Sequence, residues 1–156
     1  NKILIDNIDL LRSAFKKTKE NYKFEIFSIC IMPDHIHLII YPEKTEEYPK
    51  IISSIKYYFS RNINIDNQNI IKKQGYINKR EKCIFQRRFY EHTIKSEEEL
   101  YKHVEYIHYN PVKHGFVESV KDWKYSSFHK FVKNNYYDIN WGSKLDIKNI
   151  ENMNFE

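Results

Sequence analysis

Apolar residues open the chain at helical spacing. Leu4, Ile8, Leu11 and Phe15 share a face, and Asp6 is a candidate N-cap, so the pattern predicts a helix over residues 7–20. From Lys23 to Ile31 the run Phe24-Glu25-Ile26-Phe27-Ser28-Ile29-Cys30-Ile31 reads as a strand, and Met32-Pro33-Asp34 reads as a turn. His35 to Tyr41 is a second strand closed by Pro42, which makes an antiparallel hairpin. Helical spacing returns over 46–62, with Ile51, Ile52, Ile55, Tyr58 and Phe59 on one face. Lys50, Ser53, Lys56, Tyr57 and Arg61 take the other. Asn-rich residues 62–69 form a connection, followed by short β-like stretches at Ile84-Phe85 and Tyr90–Ile94. Ser96-Glu97-Glu98-Glu99 is a capping box, in which the serine caps a backbone N–H and Glu99 reaches back. The helix it opens is expected to stop near Asn110, because Pro111 disfavours helical geometry in the residue before it. Beyond Gly115 the pattern is mixed, with Trp123, Tyr125, Phe128, Phe131 and Trp141 as packing anchors.

Composition narrows the class. A chain of 156 residues with 16% aromatic side chains has the means to bury a core, and its length fits one domain. That domain is read as residues 1–142, with 143–156 as a polar C-terminal tail. No apolar run approaches the roughly 18–20 residues a membrane helix needs. Cys30 and Cys83 fit neither a disulfide framework nor a zinc ribbon, and with no signal-peptide pattern a reducing, cytoplasmic setting is expected. Between Lys72 and Lys95 eight basic residues face two acids, so the net charge of +5 is concentrated there. Tyr76, Phe85, Phe89 and Tyr90 are interleaved with it. Such a window is either a solvated loop or a surface for a polyanion whose bases stack.

His35 and His37 project from one face of their strand, because side chains alternate with period two, while Ile36 and Leu38 point to the opposite, core face. Two imidazoles so placed bind one metal ion if a third group approaches. Taken alone the pair is weak evidence, since chance gives roughly 0.3 such pairs in a chain of this composition. On the capped helix, Leu100, Val104 and Ile107 form a narrow apolar stripe. His103, Tyr106 and Asn110 lie within about 60° of one another beside it, at the edge of the buried surface. Tyr106 is then either an amphipathic anchor with a wet hydroxyl or a nucleophile. The parts have one coherent use. A metal on His35 and His37 polarises a phosphodiester, the Tyr106 oxygen attacks phosphorus, and the Asn110 amide oxygen completes the metal site.

Met32-Pro33-Asp34-His35-Ile36-His37-Leu38-Ile39 resembles the His-hydrophobe-His motif of HUH single-tyrosine transposases. Tyr106-Ile107-His108-Tyr109-Asn110-Pro111-Val112-Lys113 resembles the catalytic-tyrosine motif of one branch, the REP-associated tyrosine transposases. The likeness continues through Phe85–His92, Asp122–His129 and Ile139–Gly142, and so covers most of residues 24–142.

The resemblance implies a ferredoxin-like α+β fold, an antiparallel sheet with helices packed on it and the HUH motif on a core strand. It implies a single-stranded DNA endonuclease and strand-transferase that nicks beside hairpins with Mg²⁺ or Mn²⁺ through a 5′-phosphotyrosine, and that can rejoin strands. Carried over by motif, His35, His37 and Asn110 are metal ligands, with His103 in reserve, and Tyr106 is the nucleophile. Arg87, Arg88, Lys113 and Lys56 are candidates for phosphate contacts, and Phe89 and Tyr90 for base stacking or core packing. The partner expected is hairpin DNA and no membrane, and a monomer is favoured over a homodimer. The family has a strand before its first helix and this chain begins almost at that helix, so the first strand is expected to be missing from this sequence. The competing reading is a non-catalytic, domesticated hairpin-binding protein.

Overall fold

The computed structural model describes residues 2–64, 84–85 and 90–142. The element order is α1 (Ile3–Asp6), α2 (Ile8–Asn21), β1 (Phe24–Ile31), β2 (Ile36–Pro42), α3 (Tyr48–Asn62), α4 (Glu97–Lys113) and α5 (Phe128–Lys133), with single 3₁₀ turns at Thr45–Glu47 and Val120–Asp122. The architecture is mixed α+β, and β1 and β2 pair into the antiparallel hairpin the sequence predicts. The described residues fall into two compact units, 2–24 with 42–64 and 84–85, and 25–41 with 90–142. Arg87, Arg88, Phe89 and most of the basic window lie outside the described residues, as does the tail 143–156.

In the first unit α2 lies along α3. Leu11, Ala14 and Phe15 of α2 and Ile51, Ile55 and Phe59 of α3 are buried, as is Leu4 of α1. Both helices are polar on their remaining faces, so burial of the shared stripe, at about 1.5–3 kcal/mol per large side chain, rather than intrinsic propensity holds them. Asp6 does not cap α2. It closes α1, and Asn7 occupies the boundary, its Nδ2 donating to the Ile3 carbonyl at 2.9 Å.

The second unit is built on the hairpin and α4. Ser96 caps α4 as predicted, its Oγ accepting from Glu99 N at 3.1 Å. Glu99 reaches one residue further back than a capping box requires, accepting from Lys95 N at 2.7 Å. The helix also runs a turn past Asn110. A proline in a last turn removes one backbone donor, and here the carbonyls around it are taken up by a Schellman-type ending. His114 N donates to Asn110 O, Gly115 N to Val112 O and Phe116 N to Pro111 O, with Gly115 at φ +70° in the left-handed region.

Residues 123–127 then return to the sheet. Ile31 N donates to Tyr125 O at 2.8 Å, Ser127 N to Ile29 O at 2.9 Å, and Trp123 Nε1 to Ile31 O at 3.1 Å. Successive N–H groups of a strand point to opposite sides, so β1 offers one edge to β2 and the other to this segment.

The core of the unit is Cys30, Met32, Ile39, Val104, Ile107, Tyr109, Val120, Phe128, Phe131 and Tyr137. Phe128 and Phe131 are the buried anchors expected, and Trp123 and Trp141 pack against them. Ile39 has the parity of His35 and His37, so the histidines share the face on which the unit's core is built. Ile36 and Leu38 lie on the opposite face and are half-buried, as His35 and His37 are. Alternation told which residues point together but not which face a helix would cover.

His108 is wholly enclosed. Its Nε2 meets Ser127 Oγ at 2.8 Å and Ser28 Oγ at 3.3 Å, and its Nδ1 meets Tyr137 Oη at 3.3 Å. Burial pushes its pKa from 6.5 down to about 3. The unfolded chain therefore takes up a proton in weak acid that the folded protein refuses. This group's stability is fully present above pH 6.5 and is lost as the pH falls toward 3. At about 1.4 kcal/mol per pH unit, urea unfolding at pH 5 should show roughly 2 kcal/mol less stability than at pH 7 from this residue. His108→Gln should lose that part of the slope, and equal slopes in the two proteins would refute a buried neutral imidazole.

Candidate active site

The hairpin turn sets the first two side chains. Met32 N donates to His35 O at 2.9 Å, which closes the turn and starts β2 with His35 and His37 on one face. Their Nε2 atoms lie 3.1 Å apart and their rings are edge-on at 4.8 Å. Asp34 Oδ1 accepts from His35 Nδ1 at 2.8 Å, which keeps a proton on Nδ1 and turns the Nε2 lone pair toward His37. Helix α4 brings the third. The Tyr106 ring meets the His37 ring at 5.9 Å and 90°. His35, His37 and Tyr106, singled out from separate parts of the sequence, are thus assembled.

Tyr106 is not at the edge of the buried surface as expected. It is 2% exposed, and Asn110 is 0% exposed, because α4 is buried over nearly its whole circumference from Tyr106 to Pro111. A stripe drawn from the aliphatic residues alone was too narrow, since Tyr109, His108 and Asn110 are enclosed as well.

Lys113 lies two turns beyond Tyr106. Its Nζ donates to the Tyr106 phenol oxygen at 3.1 Å and sits 4.7 Å from the ring centroid. Expected to meet phosphate, in this structure it meets the candidate nucleophile. Lys56 is on α3 in the first unit, half-buried, with Nζ 5.7 Å from the Phe85 ring and its pKa lowered by desolvation. Tyr90 is 61% exposed, which removes its core-packing alternative.

A divalent cation finds suitable donors here. His35 Nε2 and His37 Nε2, 3.1 Å apart on one face of the strand, would be two of them. Asn110 Nδ2 donates to Tyr106 O at 3.3 Å, and its Oδ1, buried, has no hydrogen-bond partner among the described residues. An unsatisfied buried carbonyl costs about 1–3 kcal/mol, so it is a ready third donor. His103, the reserve, forms no metal-holding group with His35 and His37; its Nδ1 meets Glu99 O at 2.9 Å and its ring stacks on His92 at 5.3 Å. The described residues contain no group of three His, Cys, Asp or Glu set to hold a metal, so a site here would take a ligand of another kind beside the two histidines.

Sequence reading passed over two neighbours. Asp34 was read only as a turn residue, although an acid directly before a ligand-like histidine is a signal. His114, one turn after Asn110, faces His35 with ring centroids 6.0 Å apart.

The chain is similar to known proteins over most of its length. Residues 2–110 match the family profile described as "Transposase IS200 like". A putative REP-associated tyrosine transposase from Haemophilus influenzae is 48% identical over 147 residues, covering 93% of this chain and 82% of that protein. A REP-associated tyrosine transposase from Escherichia coli K12 is 33% identical over 144 residues, covering 92% of this chain and 78% of the relative. A solved structure of a REP-associated tyrosine transposase bound to a REP hairpin superposes with a TM-score of 0.76 at 31% identity, covering 93% of this chain and 79% of the other. No helix among the described residues is long and apolar enough to cross a membrane.

If Asn110 is kept for its free carbonyl rather than for the fold, Asn110→Leu should raise the stability of the metal-free protein by about 1 kcal/mol. Chemical denaturation reads this directly. A loss of more than about 1 kcal/mol would make Asn110 a structural residue.

Proposed function

The chain belongs to the IS200-like transposase family, in the branch of REP-associated tyrosine transposases, and on that premise we propose that it nicks and rejoins single-stranded DNA beside a REP-type hairpin. The observation that carries this reading is the meeting of Tyr106 with the His35–His37 pair. Three roles follow from it.

Tyr106 is the nucleophile. Its phenol releases a proton to solvent and the oxygen attacks the scissile phosphorus; the bond to the 3′ oxygen breaks, and that oxygen takes a proton from solvent to become a hydroxyl. The 5′ phosphate stays on Tyr106, so the energy of the broken bond is retained and a 3′-hydroxyl can reverse the step. Lys113 stands at the phenol oxygen, where a fixed ammonium stabilises the anion before attack and again when it departs on rejoining. This role replaces the phosphate contact expected of it.

His35, His37 and Asn110 hold Mg²⁺ or Mn²⁺, and the mixed nitrogen and oxygen donors favour manganese. Bound there, the cation supplies Lewis-acid polarisation of the phosphate. Asp34 keeps His35 in the ligating tautomer. Arg87, Arg88 and Lys56 remain candidates for the DNA backbone.

A denaturing gel of the protein with Mn²⁺ and labelled single-stranded hairpin DNA from its own genomic flanks should show a covalent band. Tyr106→Phe should abolish the band while hairpin affinity stays within a few-fold. A clear native-gel shift with no band in the wild type would leave the hairpin-binding protein without catalysis. Lys113→Met should slow band formation about 100-fold, the scale of a lost charge-stabilising donor, without weakening hairpin binding. Equal rates would return Lys113 to the surface. His37→Ala should remove Mn²⁺ binding in a direct titration, and retained binding would overturn the ligand assignment.

A further inference from the structure

One exposed aromatic ring has no part in the chemistry above. Phe116 is 46% exposed, yet it is not loose. Its backbone is tied by the helix ending, Phe116 N to Pro111 O at 2.9 Å, immediately after Gly115 in the left-handed region. Its ring leans on Trp123 at 5.7 Å and 38°. Trp123 is itself anchored through Nε1 to the Ile31 carbonyl. Phe116 is therefore a pre-positioned apolar surface that costs little further ordering when something lands on it.

The ring is also continuous with the reacting groups. His35 meets His114 at 6.0 Å, His114 meets Phe116 at 6.5 Å, and Trp123 meets Tyr125 at 5.6 Å with Lys124 Nζ 5.0 Å from the Tyr125 ring. This row runs from the histidine pair to the return segment without a break. Its surroundings carry charges of both signs, the exposed Lys113 and Lys124 and the exposed Glu118 and Asp122. A short row of rings flanked by charges of both signs lacks the broad contiguous apolar patch that a protein interface buries. It suits a flat partner whose phosphate Lys124 can meet, and unpaired bases stack on aromatic side chains in this way.

We propose that Phe116, backed by Trp123, is the stacking platform for an unpaired DNA base next to the phosphate that Tyr106 attacks. The inference rests on the function proposed above and adds to it where the single-stranded flank is read.

The test uses fluorescence anisotropy with the labelled hairpin carrying its single-stranded flank, the same hairpin without the flank, and flanked hairpins with an abasic site at each position beside the scissile phosphate. Phe116→Ala should weaken binding of the flanked hairpin by about tenfold, within the roughly 5- to 150-fold that one stacked base is worth. It should leave the unflanked hairpin unchanged. At one abasic position the wild type should lose the same factor and the variant should lose nothing more. Phe116→Trp should restore binding, which a merely structural role would not predict. Equal losses with and without the flank, or a full loss on every abasic substrate, would overturn the platform. A wild-type protein that forms the Tyr106 adduct yet is indifferent to Phe116 would sink this inference alone. Failure of the wild type to bind any hairpin would remove the underlying reading together with it.

Discussion

The second unit depends on one packing contact, residues 104–111 of α4 laid against the face of the hairpin that carries His35 and His37. Val104 and Ile107 enter the core with Ile39, Cys30 and Met32, and the same docking brings Tyr106 to His37. The reactive stripe of the helix is thus also part of its buried stripe. Apolar burial, which is non-directional, supplies the adhesion; the enclosed bonds of His108 to Ser28, Ser127 and Tyr137 supply the direction. A rotation of α4 that moved Tyr106 away from His37 would also break bonds that a buried imidazole cannot remake with water.

The hairpin, the bounds of β1 and the N-cap of α4 were legible because their signals are local: β-rich runs, a proline-aspartate turn, a serine three residues before a glutamate. The pairing of His35 with His37 was legible for the same reason, since a strand has only two faces. What escaped was tertiary. The face of β2 that receives α4 was not legible, because an isolated strand does not say on which side a helix will lie. Helix α4 outran its predicted end because the penalty at Pro111 is offset by three bonds made by residues beyond it, from His114, Gly115 and Phe116. Lys113 was read as a phosphate contact, and its bond to the Tyr106 oxygen was not legible because it depends on where a long flexible side chain lies.

Two groups at the candidate site sit in surroundings that do not favour stability. The Asn110 carbonyl is enclosed without a hydrogen bond among the described residues, a state that an apolar residue of similar shape would avoid. Tyr106 is covered almost completely, with a lysine across its hydroxyl. In solution a phenol so enclosed is shielded from stray electrophiles, and the lysine's long stem can swing aside more readily than backbone can.

The pairing of β1 with residues 125–127 spans 98 positions of sequence between Ile29 and Ser127. During synthesis the hairpin emerges early with one edge complete and the other bare, and it stays bare until nearly a hundred more residues have left the ribosome. A naked strand edge recruits strands from other chains, and contacts of such high sequence separation are slow to form. The half-made protein is therefore the stage most exposed to misassembly, and its yield in the cell will be set by how quickly the Trp123–Ser127 segment arrives to close the sheet.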